Sequence, residues 1–183
     1  MHILDRIANI DRRIIFLLIA LAVIIPMLIP MGLPVDITQP VQAVYDKIES
    51  LPEGSIVVVS IDYDPGSEAE LYPATLAFLD HCFQKNLKVY MIALWAPGVA
   101  LGNIALEQVG SRYNKVNGED YINVGYKPGG AVMLLSLGRN VADIIATDYA
   151  GASIDDFPLG REVKTSRDMD LVMTFSAGDP GIL

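Results

Sequence analysis

One cysteine and two histidines are too few for the commoner metal and nucleophile chemistries. Cys82 has no second cysteine to pair with, so no disulfide framework supports the fold, and it reads as a small buried helix residue. His2 and His81 have no second candidate ligand beside them, so they build neither a zinc pattern nor a Ser/His/Asp set. Cationic residues are also scarce, 13 Lys and Arg against 22 Asp and Glu. Three arginines and two aspartates fall before residue 34, which leaves a formal −10 on the rest of a chain whose net charge is −9. That balance repels phosphate backbones and excludes nucleic acid as a natural partner. Apolar residues are what the chain has in surplus, 52% by composition.

Much of that surplus sits at the N-terminus. Residues 14–33 (IIFLLIALAVIIPMLIPMGL) are twenty in number and carry no charge. At about 1.5 Å per residue such a helix matches the ~30 Å hydrocarbon layer. Ile14, Phe16, Leu21 and Ile25 are apolar on every side of that helix, which water does not tolerate. Pro26 and Pro30, four apart, each remove a backbone donor and predict a kink or early end near residue 26. No small-x-small cleavage site follows the run, so it reads as a retained anchor rather than a cleaved signal. No glycine-spaced stripe marks it for helix pairing. Arg6, Arg12 and Arg13 precede the span and only Lys47 follows closely. The positive-inside rule then puts residues 1–13 in the cytoplasm and the rest outside it, on a cell membrane crossed once.

Residues 34–54 read as a connector. Pro40, Val41, Val44, Tyr45 and Ile48 have the spacing of a short amphipathic helix, ended by Leu51-Pro52-Glu53-Gly54. From 55 to 183 the pattern alternates. Apolar, β-branched runs at 56–61, 88–94, 121–126 and 171–175 predict strands. Helical stretches are predicted over 67–85, 99–113 and 130–145. Ser67 and Glu70 form the signature of a capping box at the first of these. This order predicts an α/β fold: one transmembrane helix, then a mostly parallel sheet flanked by helices, in Rossmann-like or Clp/crotonase-like layering. Residues 147–168 lack periodicity and read as an excursion or lid-like loop. Leu171, Val172 and Phe175 are expected to need cover from a partner or a further segment, because few residues follow them. The α/β domain therefore reads as C-terminally short.

Ligands of such sheets sit beyond the carboxyl ends of the strands. Asp62 and Asp64, two apart after the first strand, are the candidate ligands of a hard cation such as Mg²⁺. The competing reading is a turn, Asp64-Pro65-Gly66-Ser67, feeding a helix. Lys127, Gly129 and Gly130 follow the third strand as a candidate anion-binding loop, without Walker or dinucleotide glycine spacing.

Three resemblances bear on these motifs. Asp62-x-Asp64, with Lys127 and Gly178-Asp179, resembles haloacid-dehalogenase-type phosphatases. That likeness implies a nucleophilic Asp62, but Gly66 stands where a Thr is expected, and Ala93-Leu94-Trp95 holds no Ser or Thr. Residues 55–113, through Trp95-Ala96-Pro97-Gly98-Val99-Ala100-Leu101-Gly102, are similar to Clp/crotonase-type membrane serine peptidases. There Leu101 takes the place of the nucleophile. Over nearly its whole length the chain resembles a family of bacterial membrane-anchored α/β proteins of unknown function. That likeness is carried by Asp11-Arg12-Arg13, Leu33-Pro34, Asp62-Tyr63-Asp64-Pro65, His81-Cys82-Phe83 and Gly125-Tyr126-Lys127-Pro128-Gly129. It implies a membrane protein and no stated activity. The expectation is a non-enzymatic membrane component that binds the bilayer and homo- or hetero-oligomeric partners, without a cofactor. A hydrolase using Asp62 and Asp64, with Mg²⁺, and an anion or small-molecule sensor are the alternatives.

Overall fold

The computed structural model describes residues 11–29, 36–129, 141 and 144–178. The chain divides into two compact units, 1–41 and 42–183.

In the first unit Asp11 caps helix α1 (Arg12–Leu28), its carboxylate accepting the N–H of Arg13 at 2.9 Å. Every described residue of α1 is exposed. The helix has 17 residues, with Pro26 inside its last turn. The missing N–H of Pro26 removes one bond of the ladder just before the helix stops. Seventeen residues cover about 25 Å, and no helix among the described residues is long and apolar enough to cross a membrane. Within the expected span of 14–33, α1 ends at Leu28 with Ile29 extended, and residues 30–33, Pro30 among them, lie outside the described residues.

Helix α2 (Gln39–Glu49) leads into the second unit and buries Ile48. Strand β1 (Ile56–Asp62) is buried at all seven positions, as a β-branched run apolar on both faces requires. It pairs in parallel with β2 (Lys88–Ala93) on one side and β4 (Leu171–Ser176) on the other. Strand β3 (Tyr121–Tyr126) joins β2 in parallel, giving the order β3-β2-β1-β4. The α/β class and the four parallel strands agree with the sequence pattern.

Helices α3 (Glu68–Gln84) and α4 (Gly98–Gly110) lie on one face of the sheet. Phe78, Cys82, Phe83, Leu106 and Val109 bury themselves there with Val57, Val59 and Met91. Steps from β1 to β2 to β3 advance in one direction, so crossovers of one hand place both helices on that face. The step from β3 to β4 runs back past β1, and its connection belongs on the opposite face by the same rule.

That connection corrects the expected lid. Residues 144–169 hold a 3₁₀ turn (Ile154–Asp156), the short helix α5 (Pro158–Glu162) and a second 3₁₀ turn (Ser166–Asp168). Ile145, Ile154, Leu159 and Val163 are buried against Val58, Tyr90, Ile92 and Ile122. The segment is the second layer of the domain. Its apolar residues are spaced by turns rather than by a helical period, so a search for periodicity passes over them. The helix expected over 130–145 falls mostly outside the described residues, though Val141 and Ile145 are buried.

Candidate functional site

Strand order reverses between β1 and β4, which makes their carboxyl ends the natural place for a ligand. Asp62, the last residue of β1, is there and is fully buried. Its Oδ1 accepts the N–H of Leu94 at 2.6 Å, and its Oδ2 accepts the hydroxyls of Ser60 at 2.7 Å and Thr174 at 3.2 Å. Burial pushes its pKa up, and these hydrogen bonds pull it partly back. Asp62 therefore ties the ends of β1, β2 and β4 together from inside the sheet.

Asp64 turns the other way. Its Oδ1 accepts the N–H groups of Gly66 at 3.0 Å and Ser67 at 3.3 Å, closing the turn that feeds α3. The two carboxylates thus serve separate local networks. Among the described residues no group of three or more His, Cys, Asp or Glu stands where it would hold a metal ion. The capping box expected at Ser67 does not form, because Asp64 takes that N–H and the Ser67 side chain makes no capping bond. A capping box forms instead at Thr165 and Asp168.

The loop after β2 opens α4 with two glycines whose role is packing. A Cβ on Gly98 would stand 1.9 Å from the carbonyl oxygen of Ile61, and one on Gly102 would meet the Met91 methyl at 1.9 Å. The absence of both lets α4 lie directly on β1 and β2. Leu101, at the position of the peptidase nucleophile, is buried in the core between them.

After β3, Gly125 adopts φ +75°, and the backbone of Tyr149 packs where its Cβ would be. The N–H of Tyr149 donates to the carbonyl of Asn123 at 2.9 Å, which fixes that approach. Lys127 follows, its N–H bonded to the Ala93 carbonyl at 2.9 Å. Burial lowers the pKa of its ammonium, and the charge of Asp148 partly restores it. Gly129 is exposed with φ +119°; Gly130 lies outside the described residues. After β4, the Ser176 hydroxyl donates to the Gly178 carbonyl at 2.6 Å, and Gly178 faces the Trp95 ring. Asp179, the third carboxylate of the phosphatase likeness, lies outside the described residues.

The remaining candidates scatter. Leu171 and Met173 line a shallow apolar groove of about 190 Å³ with Ala43, Val44 and Lys47 of α2. Val172 points to the other face and is 45% exposed. Phe175 is buried, edge-on to Phe78 at 5.6 Å, and belongs to the core of its own domain. Cys82 is buried and its thiol is pushed up to about 12, so it is inert. His81 meets Glu49 at 2.8 Å. His2 is outside the described residues.

Residues that sequence reasoning passed over are Ser60 and Thr174, which hold Asp62. The signal was present: Ser60 and Asp62 are two apart in a strand and share a face, and a buried hydroxyl needs a partner. Comparison with protein-family models, with curated proteins and with solved structures finds no match to the chain.

Proposed function

We propose that this chain is a membrane-anchored, non-enzymatic component that builds a larger complex through the open edge of its sheet. The observation that carries the reading is β4. It is an edge strand of six residues, LVMTFS, without charge, proline or bulge. No strand pairs with its outer side among the described residues. Soluble domains usually blunt such an edge with charge or a covering element. Here Val172 remains largely exposed, and the groove beside Leu171 and Met173 is apolar.

Anchoring is supported by α1, apolar from Ile14 to Leu28 and exposed on all sides. With the uncharged residues to 33, the run has the length of a transmembrane helix. The arginines before it favour a cytoplasmic N-terminus and an extracytoplasmic domain of Rossmann-like layering. The surroundings of Asp62 speak against the hydrolase alternative, because a cation would have to displace three protein donors.

Sizing the full-length chain in mild detergent, with and without Mg²⁺, tests the reading. A homogeneous assembly indifferent to the metal is expected, and Val172→Asp should dissolve it. A monomer in every detergent, or an assembly or activity that appears only with Mg²⁺, would overturn the proposal.

A further inference from the structure

We propose that Glu49, His81 and Lys85 form a pH-responsive latch that holds the connecting helix α2 on the α/β unit more firmly when His81 carries a proton. Helix α2 is held lightly, since Ile48 is its one buried residue, with Leu51 just beyond its end. At that end the Glu49 carboxylate takes His81 Nε2 at 2.8 Å and Lys85 Nζ at 3.1 Å. Lys85 Nζ also donates to the backbone carbonyl of Glu49 at 2.6 Å, where the helix leaves its last carbonyls free. One turn earlier the Tyr45 ring stacks on the His81 ring, 4.7 Å between centroids and 26° between planes.

All four side chains therefore sit on the joint between α2 and α3. There Glu49 and Tyr45 gain from a cation at His81, and the like charge of Lys85, one turn along α3, opposes part of that gain. A protonated imidazole turns the contact with Glu49 into a charge-assisted bond. It adds a positive charge at the C-terminal end of α2 and a cation against the face of Tyr45. Glu49 is held below the ordinary carboxylate range by His81 first and Lys85 second, so it keeps its charge while histidine side chains titrate. The neighbouring charges are turned elsewhere. Asp80 faces Arg112 of α4 at 3.6 Å, Asp46 accepts from Gln42 at 2.7 Å, and Lys47 lines the groove beside Leu171. Every residue of the latch lies within the second unit, so what it governs is how tightly the C-terminal turns of α2 are held on α3.

Amide hydrogen exchange on the full-length chain in detergent, corrected for intrinsic rates, tests this at pH 8 and at about pH 5.5. Protection of residues 43–49, relative to β1, should rise roughly two- to fivefold on acidification, the range of a partly exposed ion pair. His81→Gln should remove that rise and leave the core amides as they were. Glu49→Gln should remove it as well. Protection that is flat across this range in the wild-type chain, or a rise that survives His81→Gln, would overturn the proposal.

Discussion

The carboxylate of Asp62 accepts the backbone N–H of Leu94 at 2.6 Å, which fastens the end of β1 to the start of the loop that carries Trp95 and α4. It is the shortest of the bonds that hold this buried acid. A residue that looks like a ligand in the sequence is thereby a cross-tie of the sheet.

Replacing Asp62 with Ala should leave the buried N–H of Leu94 and the hydroxyl of Ser60 without their acceptor. A loss on the order of 1–3 kcal/mol is expected, measured as a fall in the urea midpoint. A midpoint unchanged within error would show that the network contributes little.

The same group sets a pH dependence. Burial raises the pKa of Asp62 above its unfolded value. Between the two values the folded state holds the proton more firmly, so this contribution to stability falls as pH rises through that window. Asp62→Asn should flatten the part of the profile that begins in the ordinary carboxylate range and extends upward from it. An identical slope in both proteins would assign the dependence to other groups.

Gly98→Ala should destabilise the domain by about 1–3 kcal/mol through overpacking, since the added carbon meets the backbone of Ile61. Gly102→Ala should cost less, because the atom it meets is the mobile methyl of Met91. Thermal melts of the two variants, compared with the wild type, give the order. Equal or reversed losses would show that α4 shifts freely on the sheet.

Millimolar Mg²⁺, Mn²⁺ or Ca²⁺ should leave the melting temperature unchanged, because both oxygens of Asp62 and Oδ1 of Asp64 already accept from separate protein donors. A rise that disappears when both are replaced by Asn would restore the hydrolase reading, since a ligand selective for the native state stabilises it.

Edge-strand variants should separate folding from assembly. The sequence suggests that Val172→Asp damages both at once, but Val172 is 45% exposed whereas Phe175 is buried on Phe78. Val172→Asp should therefore abolish assembly and leave a cooperatively melting domain. Phe175→Asp should unfold it. Circular dichroism melts alongside sizing in detergent distinguish the two.

Strands and helices were legible where burial imposes a period. The run at 56–61 is apolar on two faces because β1 is central, and 171–175 reads alike although β4 is an edge. Pattern alone cannot separate these, because the neighbour of β4 is 114 residues away in the chain. The layer over the second face was illegible for a related reason: Ile154, Leu159 and Val163 reach the core from turns. The Asp62 motif was visible, but its use was not, since Leu94 and Thr174 meet it only after the sheet has formed.

The placing of β1 between β2 and β4 also bears on how the protein is made. Val57 finds Val89 only 32 residues later but Leu171 only after 114. At about 5–20 residues per second of synthesis, the second partner emerges on the order of ten seconds after the first. Through that interval the most apolar strand of the nascent chain has one side unpaired. Long-range pairing of this kind is slow and leaves strands open to aggregation. The ribosome-bound chain is therefore at greatest risk between the synthesis of Tyr126 and that of Ser176, and a chaperone that shields bare β1 would act in that window.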